Sequence, residues 1–372
     1  MKRGSAVAQC LTWACMLFVS APAYGLIHTT AELSEARWGL AATTAGNKAL
    51  FAGGYGGTCD GSAVVDIYDS TTGAWSTAAL SGGGHSLAAT SVGDLALFGG
   101  GAGTHQCAVD IYDADTGLWS TAALSQGRYE LAAASAGSKA MFAGGLASST
   151  NFSDVIDIYD SATGLWCTAT LSVARASLVG ATVGSKLMFA GGYVGPGEQS
   201  DVVDIYDSDT GLWSTASLSQ ARSHLAVTTV GDKVIFAGGS PLTATVDIYD
   251  ASNDTWSTAS LSRNRLLASA TALDQLAIIA GGRYGDDLVE IYDADTGLWS
   301  TMTGFVPREH MAAATVGGTA IFAGGFDIDQ HAHSGMVDIY MIPEPLSLSL
   351  LAAGGLILLR RRHSRFSRAL RA

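Results

Sequence analysis

The chain has 372 residues, a net charge of −13, 46 glycines, six prolines and only 14% charged residues. A collagen, a coiled coil and a disordered acidic chain are excluded, since each needs a proline-rich or charge-rich composition that this chain lacks. The apolar share is 48%, but unbroken apolar runs occur only at the two ends, which suits a folded body between two processed segments.

At the N-terminus, Lys2 and Arg3 precede a largely apolar run from Cys10 to Ser20, and Ala21, Ala23 and Gly25 supply small residues for cleavage. Residues 1–25 therefore read as a secretory signal peptide. The next segment, Gly25 to Arg37, parallels Gly211 to Arg222 with one extra residue and with Ile27 where Trp213 stands. It has the pattern of a fourth strand without the three that should precede it.

From there to Tyr340 one unit of about 45 residues recurs seven times. Its centre is a block such as Val65-Asp66-Ile67-Tyr68-Asp69, with the tyrosines at Tyr68, Tyr112, Tyr159, Tyr206, Tyr249, Tyr292 and Tyr340. Each of the first six is followed seven residues later by a tryptophan, from Trp75 to Trp299. An apolar strand ending in a glycine pair, as at Gly53-Gly54, precedes each block. Every unit parses as four short strands, because the runs are brief, β-branched or aromatic, and punctuated by Gly, Asp and Ser. The Asp after each Tyr is expected to cap the turn that follows it.

The succession of Gly-Gly, Tyr-Asp and a Trp seven residues after the Tyr resembles the kelch repeat over nearly all of residues 26–341. The resemblance implies an all-β, seven-bladed kelch-type β-propeller. The seventh unit stops at Tyr340 and lacks its Trp and fourth strand. The N-terminal segment is expected to fill that place beside Val337 to Tyr340, so that the last blade is closed by the N-terminal strand and no sheet edge is left open.

Beyond the repeats, residues 342–372 hold Pro343-Glu344-Pro345, an apolar run from Leu346 to Leu359 and six arginines. Fourteen helical residues cover about 21 Å, short of a hydrocarbon core of about 30 Å, and the arginines hold that end in the cytoplasm. The three features in this order resemble the PEP-CTERM sorting signal of Gram-negative bacteria. That resemblance implies transient anchoring by a short transmembrane run, cutting by an exosortase-type protease, and residence at the cell surface or in an extracellular matrix. A plain tail anchor is the alternative.

The two ends hold eight of the 20 Lys and Arg, which leaves the body roughly 20 charges negative and a poor partner for nucleic acid. Of its basic residues, six occupy one repeat position at the entrance to the first strand: Arg37, Arg128, Arg175, Arg222, Arg265 and Arg308, with Gly84 in the remaining unit. An innermost first strand would place them around the central channel, where they could bind an acidic polysaccharide or a surface protein. Alternatively, each bonds to carbonyls or to an Asp of the neighbouring blade. Cys59 and Cys107 lie in corresponding loops of adjacent units and are expected to form a disulfide, while Cys167 is expected to be a buried thiol. Asp327, Asp329, His331 and His333 share one loop and are a weak candidate for a divalent cation. No nucleophile elbow, zinc motif or phosphate loop is present, and no motif calls for a cofactor. A binding or adhesion module is the leading expectation. The alternatives are a passive matrix protein and, because kelch propellers include sugar-active enzymes, an extracellular carbohydrate-active enzyme.

Overall fold

In a computed structural model, residues 25–57, 60–283 and 287–343 are described. They contain strands and no helix. Seven four-stranded antiparallel sheets are present among them, a β-propeller-like all-β fold. Sheet 1 runs through Ala41–Ala45, Lys48–Ala52, Val64–Asp69 and Ala74–Ala79 as a plain meander. Sheets 2 to 6 repeat this order within 88–123, 132–170, 179–217, 226–265 and 269–302. Sheet 7 joins Ala312–Val316, Thr319–Ala323 and Met336–Met341 to a strand from the other end of the chain, Ile27–Glu32.

Burial follows strand position. In the second strands the residues after the leading Lys48, Lys139, Lys186 or Lys233 are all buried, as expected where a sheet is covered on both faces and the sequence runs continuously apolar. The fourth strands of sheets 1 and 3 are exposed or half-buried along their length, because they are the edge strands of their sheets. Tyr and Trp meet as directly opposed cross-strand pairs, Tyr68 with Trp75 through Tyr292 with Trp299, with ring centroids 5.1 or 5.2 Å apart. The Asp after each of the first six tyrosines accepts backbone N–H groups of its own turn, as Asp69 does from Thr71 and Thr72 and Asp207 from Asp209 and Thr210.

The N-terminal strand pairs with the last strand in the register His28↔Tyr340 and Ala31↔Val337. His28, rather than Ile27, takes the position of the missing tryptophan. Its ring stacks on Tyr340 with centroids 4.6 Å apart and an interplanar angle of 11°, and its Nε2 bonds to Asp338 at 2.8 Å. The one-residue offset arises because the segment carries an extra residue before Arg37, which moves the aromatic position along by one.

Neighbouring sheets are tied near the molecular axis. Thr182 donates its hydroxyl to the Ser135 carbonyl of the preceding sheet at 2.8 Å, and Thr229 donates to that of Thr182 at 2.8 Å. Between the ends of the chain, Gly39 N–H donates to the His310 carbonyl at 2.9 Å.

Cys167 is exposed, contrary to expectation. On the fourth strand of sheet 3, Trp166 turns inward onto Tyr159, and strand alternation directs the next side chain outward. Cys107 is exposed as well, and Cys59 lies outside the described residues, as do the signal segment, Glu344, Pro345 and the tail. No helix among the described residues is long and apolar enough to cross a membrane.

Candidate functional site

The six arginines do not form a ligand-binding ring. Arg37, Arg128, Arg175, Arg222, Arg265 and Arg308 are each 0% exposed. Every guanidinium faces a carboxylate on the third strand of its own sheet: Asp66, Asp157, Asp204, Asp247, Glu290 and Asp338 in turn. Each also donates to backbone carbonyls, as Arg222 does to Gly238 at 2.6 Å and Thr245 at 2.8 Å. In Asp66, Asp157, Asp204 and Asp247 the other oxygen accepts an N–H of the linker arriving from the previous sheet, as Asp247 does from Ser219 at 2.9 Å. One carboxylate thus clasps the linker at two points three residues apart. Burial lowers the guanidinium pKa and the facing carboxylate raises it again, as for Arg222 with Asp247. Half the basic residues of the body are consumed in architecture, so these six guanidinium groups offer no charge to an acidic ligand in the channel.

The loop of Asp327, Asp329, His331 and His333 does not gather as a metal site. It forms a hairpin in which Phe326 pairs with His333 and Asp327 with Ala332, so alternation sends the Asp327 and His333 side chains to opposite faces. His333 packs edge-on against Tyr55 with centroids 5.5 Å apart, and Asp327 accepts the Gln330 N–H. Among the described residues no group of three or more His, Cys, Asp or Glu is arranged to hold a metal ion.

What converges instead lies one and two residues past each arginine position. Two residues on stand Gly39, Ser86, Glu130, Ser177, His224, Leu267 and His310, all with positive φ between 52° and 67°. For non-glycine residues this conformation costs on the order of 1–3 kcal/mol each, and such strain concentrates at functional sites. Their amides form a belt: Ser86 donates to Gly39, Glu130 to Ser86, Ser177 to Glu130 and His224 to Ser177, at 2.9–3.0 Å. The belt holds these side chains around a cavity of about 490 Å³, lined among others by Trp38, His85, Glu130, Ser177, His224 and His310.

One wall of the cavity is aromatic. Trp38 lies 5.0 Å from His310, 6.0 Å from His85 and 5.6 Å from Tyr55, centroid to centroid. Across from it, Glu130 accepts the Ser177 hydroxyl. Burial lowers the pKa of His85 and of His224, with Glu130 opposing it in both. His310 falls to about 4, through burial first and then the proximity of His224 and Arg283. At neutral pH these are neutral imidazoles, each with one donor and one acceptor nitrogen. The site offers a flat apolar wall, paired donors and acceptors and one carboxylate, which is chemistry suited to a hydroxyl-rich ring rather than to an anion.

Stability is expected to fall as pH drops from about 6.5 towards 4. Folded His310 takes up its proton only near 4, whereas the unfolded chain does so near 6.5, so the unfolded state binds more protons in that window and gains on the folded one. His85 and His224 act in the same direction. Urea midpoints at pH 7 and pH 4.5 check this: the drop should be smaller in His310→Gln than in the parent.

The histidines of the site do not stand out in the sequence, because they are scattered over the chain and no two share a unit. A signal was nonetheless present. Behind a nearly invariant Arg, the position two residues on reads Gly, Ser, Glu, Ser, His, Leu, His from unit to unit, a polar, variable column beside a fixed one.

The fold and this axial cavity define a β-propeller-like protein with a binding-site geometry. No family model and no curated protein matches the sequence. Among solved structures, that of YjhT aligns with a TM-score of 0.55 at 16% identity, over 68% of this chain and 93% of its own. At that identity the likeness shows the fold alone.

Proposed function

We propose that the protein is an exported, seven-bladed kelch-type β-propeller, closed by its N-terminal strand, that binds a hydroxyl-rich glycan end at the mouth of its channel. Seven sheets, the pairing of residues 27–32 with 336–341 and the Gly39-to-His310 bond support closure. The signal-peptide pattern and the Pro-Glu-Pro, apolar and arginine-rich tail support export, exosortase processing and a surface or matrix location. The observation that carries the binding reading is the cavity with Trp38 on one side and Glu130, Ser177, His224 and His310 around it. Its neutral imidazoles favour an uncharged saccharide over the acidic polymer that a ring of exposed arginines would have taken.

A glycan array probed with the protein tests this. Binding to neutral glycans is the expected result, with a loss of tenfold or more in Trp38→Ala and no change in fold by circular dichroism. An array without a saturable ligand would leave a passive matrix protein as the better reading. Glu130 beside neutral imidazoles is also a set of groups able to move protons, so release of a modified sugar from any array hit would favour a carbohydrate-active enzyme.

A further inference from the structure

Sheet 2 lacks the arginine that the other six possess. Gly84 stands at its position, yet the matching carboxylate, Asp110, is retained and only 6% exposed. Asp110 accepts the Ser81 N–H at 2.9 Å and the Ser81 hydroxyl at 3.1 Å, both uncharged donors. In the other sheets the guanidinium also donates to carbonyls at three repeat positions, exemplified by Phe189, Gly281 and Thr245. The corresponding residues of sheet 2 are Phe98, Gly100 and Ala108. These three and Asp110 line a small cavity of about 10 Å³ beside Gly82, Gly83, Gly84 and His105. Alongside it is an open depression of about 620 Å³, which shares His105 and Ala108 with it.

We propose that this cavity is a receptor for the cationic nitrogen group, ammonium or guanidinium, of a bound molecule, standing where arginine stands in the other sheets. A buried carboxylate without an opposite charge is costly. The Ala108 carbonyl accepts the Gly100 N–H at 3.1 Å, just as the Thr245 carbonyl accepts that of Gly238 while also taking the Arg222 guanidinium, so a second donor can be accommodated on its other lone pair, and an ammonium is a pure donor. Room for one water-sized group matches an ammonium as the cavity stands. A guanidinium requires displacement of His105, which is exposed and lies over Gly82. At the backbone itself Gly84 is not required by crowding, because a Cβ there would meet nothing closer than the Ala102 carbonyl at 3.5 Å.

The test is thermal unfolding of the full chain in methylammonium chloride against sodium chloride and tetramethylammonium chloride at equal ionic strength. A higher melting temperature in methylammonium alone is expected, with the half-saturating concentration raised tenfold or more in Asp110→Asn. Gly84→Arg supplies the guanidinium from within, so it should raise the melting temperature by itself and abolish the methylammonium response. It also keeps the test decisive if Asp110→Asn does not fold. Equal stabilisation by sodium would make this a metal-ion site and overturn the proposal. A parent that does not respond, or a Gly84→Arg variant that still does, would overturn it too.

Discussion

Arg222→Ala is expected to destabilise the protein by about 3–5 kcal/mol, the usual loss when one partner of a buried ion pair is removed. The guanidinium is 0% exposed, and its removal takes a donor from three acceptors at once: the Asp247 carboxylate, the Gly238 carbonyl, and the Thr245 carbonyl, which keeps only the Gly238 N–H. Asp247 also holds the Ser219 N–H, so the linker between sheets 4 and 5 loosens at both of its attachment points. Replacing the pair together, as Arg222→Met with Asp247→Leu, removes the stranded charge and should recover much of the loss, leaving mainly the Gly238 carbonyl and the Ser219 amide without these partners. Urea unfolding of the parent, both single variants and the double variant closes the cycle. A loss under about 1 kcal/mol in Arg222→Ala would mean that water reaches the clasp and that the arginines are not structural.

Removal of residues 1–32 is expected to have the second large effect. The strand Ile27–Glu32 covers the edge of Met336–Met341 along six paired residues, and its loss exposes a row of unpaired amides and carbonyls, a template for pairing with other chains. It also removes the His28 stack on Tyr340, the His28 bond to Asp338 and Ala31, which packs on the cluster around Leu33, Leu40 and Val337. A fall of about 10 °C in melting temperature, the scale for a loss of several kcal/mol in a domain of this order of size, should accompany concentration-dependent association in size-exclusion chromatography. A synthetic peptide of residues 26–33, added in excess, should restore both properties, because the edge it fits is otherwise intact. If the truncated chain stays monomeric with an unchanged melting temperature, the N-terminal strand is not what fastens the last sheet.

Much of this architecture is a local matter and was therefore legible in the residues. Four strands per unit, the Tyr–Trp pairing and the Asp turn caps each depend on neighbours within about ten positions, where spacing and alternation decide the outcome. The home of the N-terminal strand was legible too, since a repeat with one strand missing and a spare strand elsewhere have one economical solution. The direction of the arginines was not. A charged side chain at a strand entrance lies equally near the axis and the sheet interior, and the choice depends on a carboxylate 25 to 30 residues on, from Arg222 and Asp247 to Arg308 and Asp338. Nor was the cavity, for Trp38, His85, Glu130, His224 and His310 become neighbours only when linkers from five units converge on one axis. Repetition in the sequence determined the strands and their order. Only the packing of sheet against sheet decided which side chains were consumed in holding the linkers and which were left facing the channel, because burial and ion pairing are properties of the assembled sheets and not of any one unit.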